Sequence, residues 1–185
     1  VSTIPDQTSN NYDLSGQGTY RPAALNNNPA VELDGTDDNY TNGTPTLSQP
    51  NTIIAVAEII NSSQTNAVAS STTGSSRNQL YWSGNNSDWL IYAGSAVRGS
   101  TDSTAQLVSG VFDGGSSELN VSGSTSATGD VGSQSLDGFN LGEDTSGNYA
   151  RIYLGQVLYY DADLRDTNEY QDELNRVANR WDISI

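Results

Sequence analysis

The residues able to do chemistry are few in kind. There are 22 acids against seven positive residues, all of them Arg, with no His, Cys or Met and a formal net charge of -15. Glycoside hydrolysis needs two carboxylates flanking a cleft, about 5 to 9 Å apart. A Glu-x-Asp-x-x-Glu pattern on one strand would supply them, and the sequence has none. Glu58 stands alone on its strand and Glu118 falls in a hairpin. A lyase would draw its base and its charge neutraliser from His, Tyr, Arg or Lys, and two of those four types are absent. The many serines read as turn chemistry, because a serine nucleophile would lack its histidine. The composition therefore argues against an enzyme.

Three other groups are able to bind rather than transform. Asp34, Asp37 and Asp38 cluster beside Gly35, and a calcium ion wants six to eight oxygens of that kind. The alternative is a tight turn at Asp34-Gly35 with two solvated charges beyond it. Tyr81, Trp82, Trp89 and Tyr92 fall on two adjacent strands. Exposed aromatics of this sort stack on sugar rings, with Arg98 or Asn85 to supply hydrogen bonds. Alternation places Tyr81 opposite in facing to Trp82, and Trp89 opposite to Tyr92, so at most half of them share one surface. The competing expectation is that each strand buries its Trp in the core. Five Asn-x-Ser/Thr sequons, at Asn39, Asn42, Asn61, Asn85 and Asn120, would mark loops exposed outside a cell if used. Asn120 lies in a predicted strand and is the weakest of them.

The elements that must position these groups are mostly strands. At 185 residues the chain is long enough for one domain with a real core, although hydrophobic content is only 34%. Ile53, Ala55, Ala57 and Ile59 alternate with Ile54, Val56, Glu58 and Ile60, so a strand over 52–60 is apolar on both faces and central. Glu58 would need a partner there. Further short strands are predicted at 30–33, 39–44, 67–70, 78–83, 88–93, 104–112, 117–121 and 139–141, with a hairpin turning at Asp113-Gly114-Gly115. Residues 1–30 read as turn-rich chain wrapping the body, with loop signals at Pro22 and Pro29. The period changes only near the end. A doubly apolar strand carrying Ile152, Leu154, Val157 and Leu158 is followed by Asp166, an expected N-cap with Glu169 as its capping-box partner. Tyr170, Leu174, Val177, Ala178 and Trp181 then share one helical face. Ten to twelve strands at such spacing predict two packed antiparallel sheets with one C-terminal helix.

Charge narrows the partners. An acidic chain repels phosphate backbones and anionic membrane surfaces, so nucleic-acid binding is excluded as a class and membrane binding is disfavoured. No run is long enough to cross a bilayer, and Val1–Pro5 does not read as a signal peptide. It looks like the interior of a longer protein or a processed end.

Three stretches resemble the concanavalin A-like, laminin-G-type jelly rolls of bacterial surface proteins and phage particles. The first is Asp6-Gln7-Thr8-Ser9-Asn10-Asn11, then Arg21-Pro22, then Pro29-Ala30-Val31-Glu32-Leu33-Asp34-Gly35-Thr36-Asp37-Asp38. The second pairs Val111-Phe112-Asp113-Gly114 with Glu118-Leu119-Asn120-Val121-Ser122-Gly123. The third runs from Leu154-Gly155-Gln156-Val157-Leu158-Tyr159-Tyr160-Asp161 through Leu164 to Trp181-Asp182-Ile183. The family usually carries Glu at the position of Gln156 and Gly at that of Asp182. The resemblance covers nearly the whole chain and implies a single all-β domain over 1–185, a two-sheet antiparallel jelly-roll sandwich with one C-terminal α-helix. It implies calcium at the sheet rim, with Asp37 and Asp38 as metal candidates. Ligand-binding candidates are Tyr81, Trp82, Trp89, Tyr92 and Arg98.

The reading that follows is a non-enzymatic recognition or structural module of an extracellular assembly: a virion decoration, turret or tail-fibre component, or a cell-surface adhesin. Its partner would be a glycan, a host-surface receptor or neighbouring subunits. The alternative is a carbohydrate-binding module of a secreted polysaccharide-degrading enzyme. The absence of Lys beside a large Asp excess points to a salt-adapted source. At molar salt the Debye length falls to about 3 Å, which screens carboxylate repulsion. The melting temperature is therefore expected to fall as NaCl is dialysed away, and a melting temperature that is flat with salt overturns the salt-adapted reading.

Overall fold

A computed structural model of the chain describes residues 1–104, 106–165 and 167–185. In chain order the strands are β1 (Thr3–Ile4), β2 (Leu14–Gly16), β3 (Thr19–Leu25), β4 (Asn28–Asp34), β5 (Tyr40–Leu47), β6 (Asn51–Ile59), β7 (Asn66–Ala69), β8 (Gln79–Ser83), β9 (Asp88–Tyr92), β10 (Ala96–Arg98), β11 (Leu107–Phe112), β12 (Ser117–Val121), β13 (Ser124–Gly129), β14 (Leu136–Leu141) and β15 (Arg151–Tyr160). The helix α1 spans Asn168–Arg180. Ladder pairings among the described residues are all antiparallel.

One layer is a seven-stranded sheet in the order β13-β12-β11-β6-β15-β4-β3. The other consists of two four-stranded sheets, β1-β2-β5-β14 and β10-β9-β8-β7. They meet at a bridge where Ser70 and Asn140 exchange N–H···O bonds of 2.8 and 2.9 Å, and just beyond it the Thr72 N–H donates to the Asp137 carbonyl at 2.8 Å. Buried hydroxyls reinforce that seam. Ser71 Oγ accepts from the N–H groups of Asn78 and Asp137, and Ser70 Oγ donates to the Glu143 carbonyl at 2.6 Å.

The sandwich follows from β6. Ile53, Ala55, Ala57 and Ile59 join the core between the layers, while Ile54 and Val56 join a second cluster under α1. Each face must be covered, because every buried methylene left in water would cost about 0.8 kcal/mol. Tyr170, Leu174, Val177, Ala178 and Trp181 of the helical segment are all buried against that second cluster, as their spacing predicts. Glu58 finds its partner in Gln106, whose Nε2 donates to it at 2.9 Å.

The structure corrects several boundaries. The helix N-cap is Thr167, whose side-chain oxygen accepts from the Tyr170 N–H. Asp166, the expected cap, lies outside the described residues, as does Ala105 within the strand predicted over 104–112. Residues 1–30 are not merely turns: they contain β1, β2, β3 and the start of β4. β3 tolerates Pro22 because it is an edge strand, where no ladder needs that N–H. β13 escaped prediction because it is polar and partly exposed throughout, with no apolar alternation.

Two departures from the family pattern have structural roles. Gln156 accepts a hydrogen bond from Trp181 Nε1 at 2.9 Å. Asp182 takes φ +53°, the left-handed conformation that suits glycine. The Ile183 N–H then closes the helix onto the Ala178 carbonyl at 2.9 Å, a Schellman closure. Trp181 seats on Gly155, where an added Cβ would lie 2.6 Å from the indole ring.

Leu174 is fully buried beneath the helix. Leu174→Ala is expected to cost about 2–5 kcal/mol by urea denaturation, the range for an aliphatic core truncation. A loss below about 1 kcal/mol would mean that α1 does not close the sheet.

Candidate functional site

β8 and β9 present opposite residues to opposite sides. Leu80, Trp82, Trp89 and Ile91 enter the core facing the seven-stranded sheet. Trp82 and Trp89 pair directly across the strands, with ring centroids 5.7 Å apart and edge to face. They are 1% and 0% exposed, and their indole N–H groups donate to the carbonyls of Ser62 and Asp102. Their assignment as ligand-binding residues is therefore corrected: both are core, and no surface of either ring is left for a ligand.

The other parity faces outward. The register aligns Gln79 with Tyr92 and Ala96, and Tyr81 with Leu90 and Arg98. Tyr81, Tyr92 and Arg98 thus share one surface, and the two tyrosines are half-buried. Leu90 is fully buried on that outward row, so its register neighbours cover it. Arg98 Nη1 donates to Asp88 at 2.8 Å, and the Asn86 amide faces the same guanidinium at 3.1 Å. Arg77 joins from the preceding loop. Its guanidinium stands 4.8 Å from the Tyr92 ring centroid and donates to the Tyr92 hydroxyl at 3.1 Å. Its Nε is buried without a partner.

The loop over 143–149 edges this face. Thr145 Oγ1 lies 3.5 Å from Gln79 Nε2. Asp144 holds the loop together by accepting from the N–H groups of Ser146 and Asn148. Burial pushes the Tyr81 phenol above its ordinary range, the Arg98 charge opposes that, and Tyr92, Asp144 and Asp88 add to it. Tyr81 therefore remains a protonated donor and acceptor at neutral pH. Both acids of the face are engaged, Asp88 by Arg98 and Asp144 by its own loop. Gln79 and Asp88 are themselves buried, so the arrangement offers the two tyrosine rings flanked by the Arg77 and Arg98 guanidinium groups.

Sequence reasoning missed Arg77, Gln79, Asp88 and the 143–149 loop. Parity offered one signal, since Arg77, Gln79 and Tyr81 fall at i, i+2 and i+4. The loop offered none, because it arrives from far along the chain. Asn85 lies exposed in the β8–β9 turn. Of the sequons, Asn120 is 4% exposed within β12, which closes it to glycosylation in the folded chain.

The predicted acidic cluster is assembled at the end of β4. Carboxylate oxygens of Asp34, Asp37 and Asp38 all lie within 4.8 Å of one another. Asp34 serves both readings, since its carboxylate also accepts from the Thr36 N–H of the turn. Burial first, and then the charges of Asp34, Asp37 and Glu32, push the Asp38 carboxyl above its usual range. If a hard cation binds here, Asp34, Asp37 and Asp38 would supply three of its oxygen ligands.

No family model and no curated protein matches the chain. Solved structures do. Domain 4 of AbnA, an extracellular GH43 arabinanase from Geobacillus stearothermophilus solved with arabinotriose, aligns with a TM-score of 0.62 at 15% identity over 93% of this chain and 86% of that one. Trypanosoma rangeli sialidase in complex with sialic acid aligns with a TM-score of 0.61 at 12% identity over 96% of this chain, which spans only 33% of the sialidase. At such identities the likeness defines the class of fold: an antiparallel β-sandwich with one C-terminal helix. Among the described residues no helix is long and apolar enough to cross a membrane.

Calcium at about 1 mM, the upper end of the roughly 0.1–1 mM range of extracellular modules, is expected to raise the melting temperature, and Asp37→Asn/Asp38→Asn to abolish the rise. An equal rise in the double variant would assign the effect elsewhere.

Proposed function

We propose that the chain is a non-catalytic carbohydrate-recognition module that works outside the cell. The observation that carries the proposal is the outward face of β8–β10, where Tyr81 and Tyr92 lie among Arg77, Gln79, Asp88 and Arg98. Tyrosine rings offer an apolar face to the C–H side of a sugar, while guanidinium and amide donors take its hydroxyl oxygens. Two solved neighbours with the same sandwich were captured with arabinotriose and sialic acid, which supports a glycan as the ligand class. The finer reading of the fold as a concanavalin A-like jelly roll belongs to the same proposal, supported by the order of the matching segments along the chain. Such a module suits a secreted polysaccharide-degrading enzyme, a cell-surface adhesin or a virion surface protein alike.

Binding rather than turnover is favoured by the state of the acids on this face. Asp88 is held in an ion pair, and a general acid or nucleophile would have to be released from its partner first.

A glycan array carrying arabino-oligosaccharides and sialylated chains, followed by calorimetry on the strongest hit, tests this. Tyr81→Ala and Tyr92→Ala are each expected to weaken binding by about tenfold, roughly one aromatic stacking contact plus its buried area. Trp82→Phe is expected to leave affinity unchanged while lowering stability. Undiminished binding in the Tyr81→Ala/Tyr92→Ala double variant, or no saccharide bound at all, would sink the proposal.

A further inference from the structure

On the opposite side of the sandwich, where β12 and β13 meet the start of α1, lies a groove of about 620 Å³. It shares no residue with the tyrosine face. Glu118 and Asn120 line it from β12, Asp113 and Asp163 from its end, and Tyr170 and Gln171 from the helix. Leu119 between the two β12 residues points into the core, so alternation aims Glu118 and Asn120 outward toward α1.

The hydrogen-bond state of these groups defines what would fit. The guanidinium and three lining hydroxyls are engaged. Arg165 is held by Asp163 and by Asp113, the latter at 2.8 Å. Thr125 Oγ1 donates to Glu118 at 2.8 Å, Thr167 Oγ1 to the Leu164 carbonyl at 2.6 Å, and the Tyr170 and Ser109 hydroxyls bond each other at 2.7 Å. Acceptors remain. Asn120 is 4% exposed, and its Oδ1 is buried without a partner. Such an acceptor is costly unless something donates to it. Three carboxylates against one guanidinium leave the groove with a charge of about -2, which favours a cation.

A single metal ion is a poor match. Asp34, Asp37 and Asp38 are the described acids close enough to share one ion, and the three acids here are not among them. Glu118 and Asn120, two residues apart on β12, suit an extended ligand with donors at intervals. Burial raises the Tyr170 phenol, its bond to Ser109 and the Arg165 charge oppose that, and the charges of Glu118 and Asp163 add to the rise.

We propose that this groove binds an extended aliphatic polyamine, with ammonium groups on Glu118 and on Asn120 Oδ1 and the methylene chain along Tyr170. The inference is independent of the tyrosine face and survives its failure.

Spermidine is the probe, titrated calorimetrically into the chain at low salt, with an equimolar neutral disaccharide as the comparison. One saturable site is expected for spermidine and none for the disaccharide. Glu118→Gln, which keeps the bond from Thr125, is expected to weaken the site by tenfold or more. Gln171→Lys, at an exposed helix position that does not threaten folding, places a competing cation at the mouth and is expected to abolish it. Asp182→Asn, a remote loss of one negative charge, is expected to leave it intact. Absence of a saturable site, equal weakening in Asp182→Asn and Glu118→Gln, or unchanged binding in Gln171→Lys would each overturn the proposal, the last two by showing diffuse counterion attraction.

Discussion

The constraint on which the molecule depends is a strand with no polar side to offer. β6 carries isoleucine, valine and alanine on both faces, so it folds only where two different layers cover it. The chain supplies a second sheet layer for one face and α1 for the other. That assignment has a functional corollary. The seven-stranded sheet has its centre covered on both sides, whereas the second layer gives only one face to the core. Its other face is turned away from the core, and there Tyr81 and Tyr92 stand in register with their polar neighbours.

Much of this frame was legible in residue spacing. The double apolar period of 52–60 and the helical face from Tyr170 to Trp181 specify their own burial, because the pattern is what burial selects. The opposition of Tyr81 to Trp82 needed no structure, only the period of a strand. Which of the two parities faced the core did need it. What stayed hidden was of another kind. β3 and β13 are edges, where neither apolar alternation nor a free N–H is required, so composition does not betray them. The bulge in β15 between Leu154 and Gln156 switches the inward parity from Ile152 and Leu154 to Val157 and Tyr159. The apparent two-faced pattern of that strand is partly this switch. Arg77 and the 143–149 loop reach the candidate site through tertiary pairing, which no local period encodes.

The positions that depart from the jelly-roll sequences this chain resembles also become intelligible. Gln156 keeps the acceptor that Trp181 needs without adding a buried charge. Asp182 occupies a left-handed position at the cost of some strain that a glycine would avoid. Both changes act at the end of α1, the element that secures the sheet, and neither touches the tyrosine face. Closure of the sheet and the tyrosine face therefore occupy separate parts of the sandwich.

The seam at Ser70 and Asn140 has a mechanical meaning. A continuous ladder imposes one twist on all its strands, because each added pair of amide bonds constrains the next. Here two plates meet at one reciprocal pair, extended by the Thr72 N–H bond to the Asp137 carbonyl and by serine and threonine hydroxyls. Their curvatures are consequently set apart from each other. The pitch of the plate that bears the tyrosines is thus fixed at a short seam of side-chain and backbone bonds, and not by a ladder shared with β14.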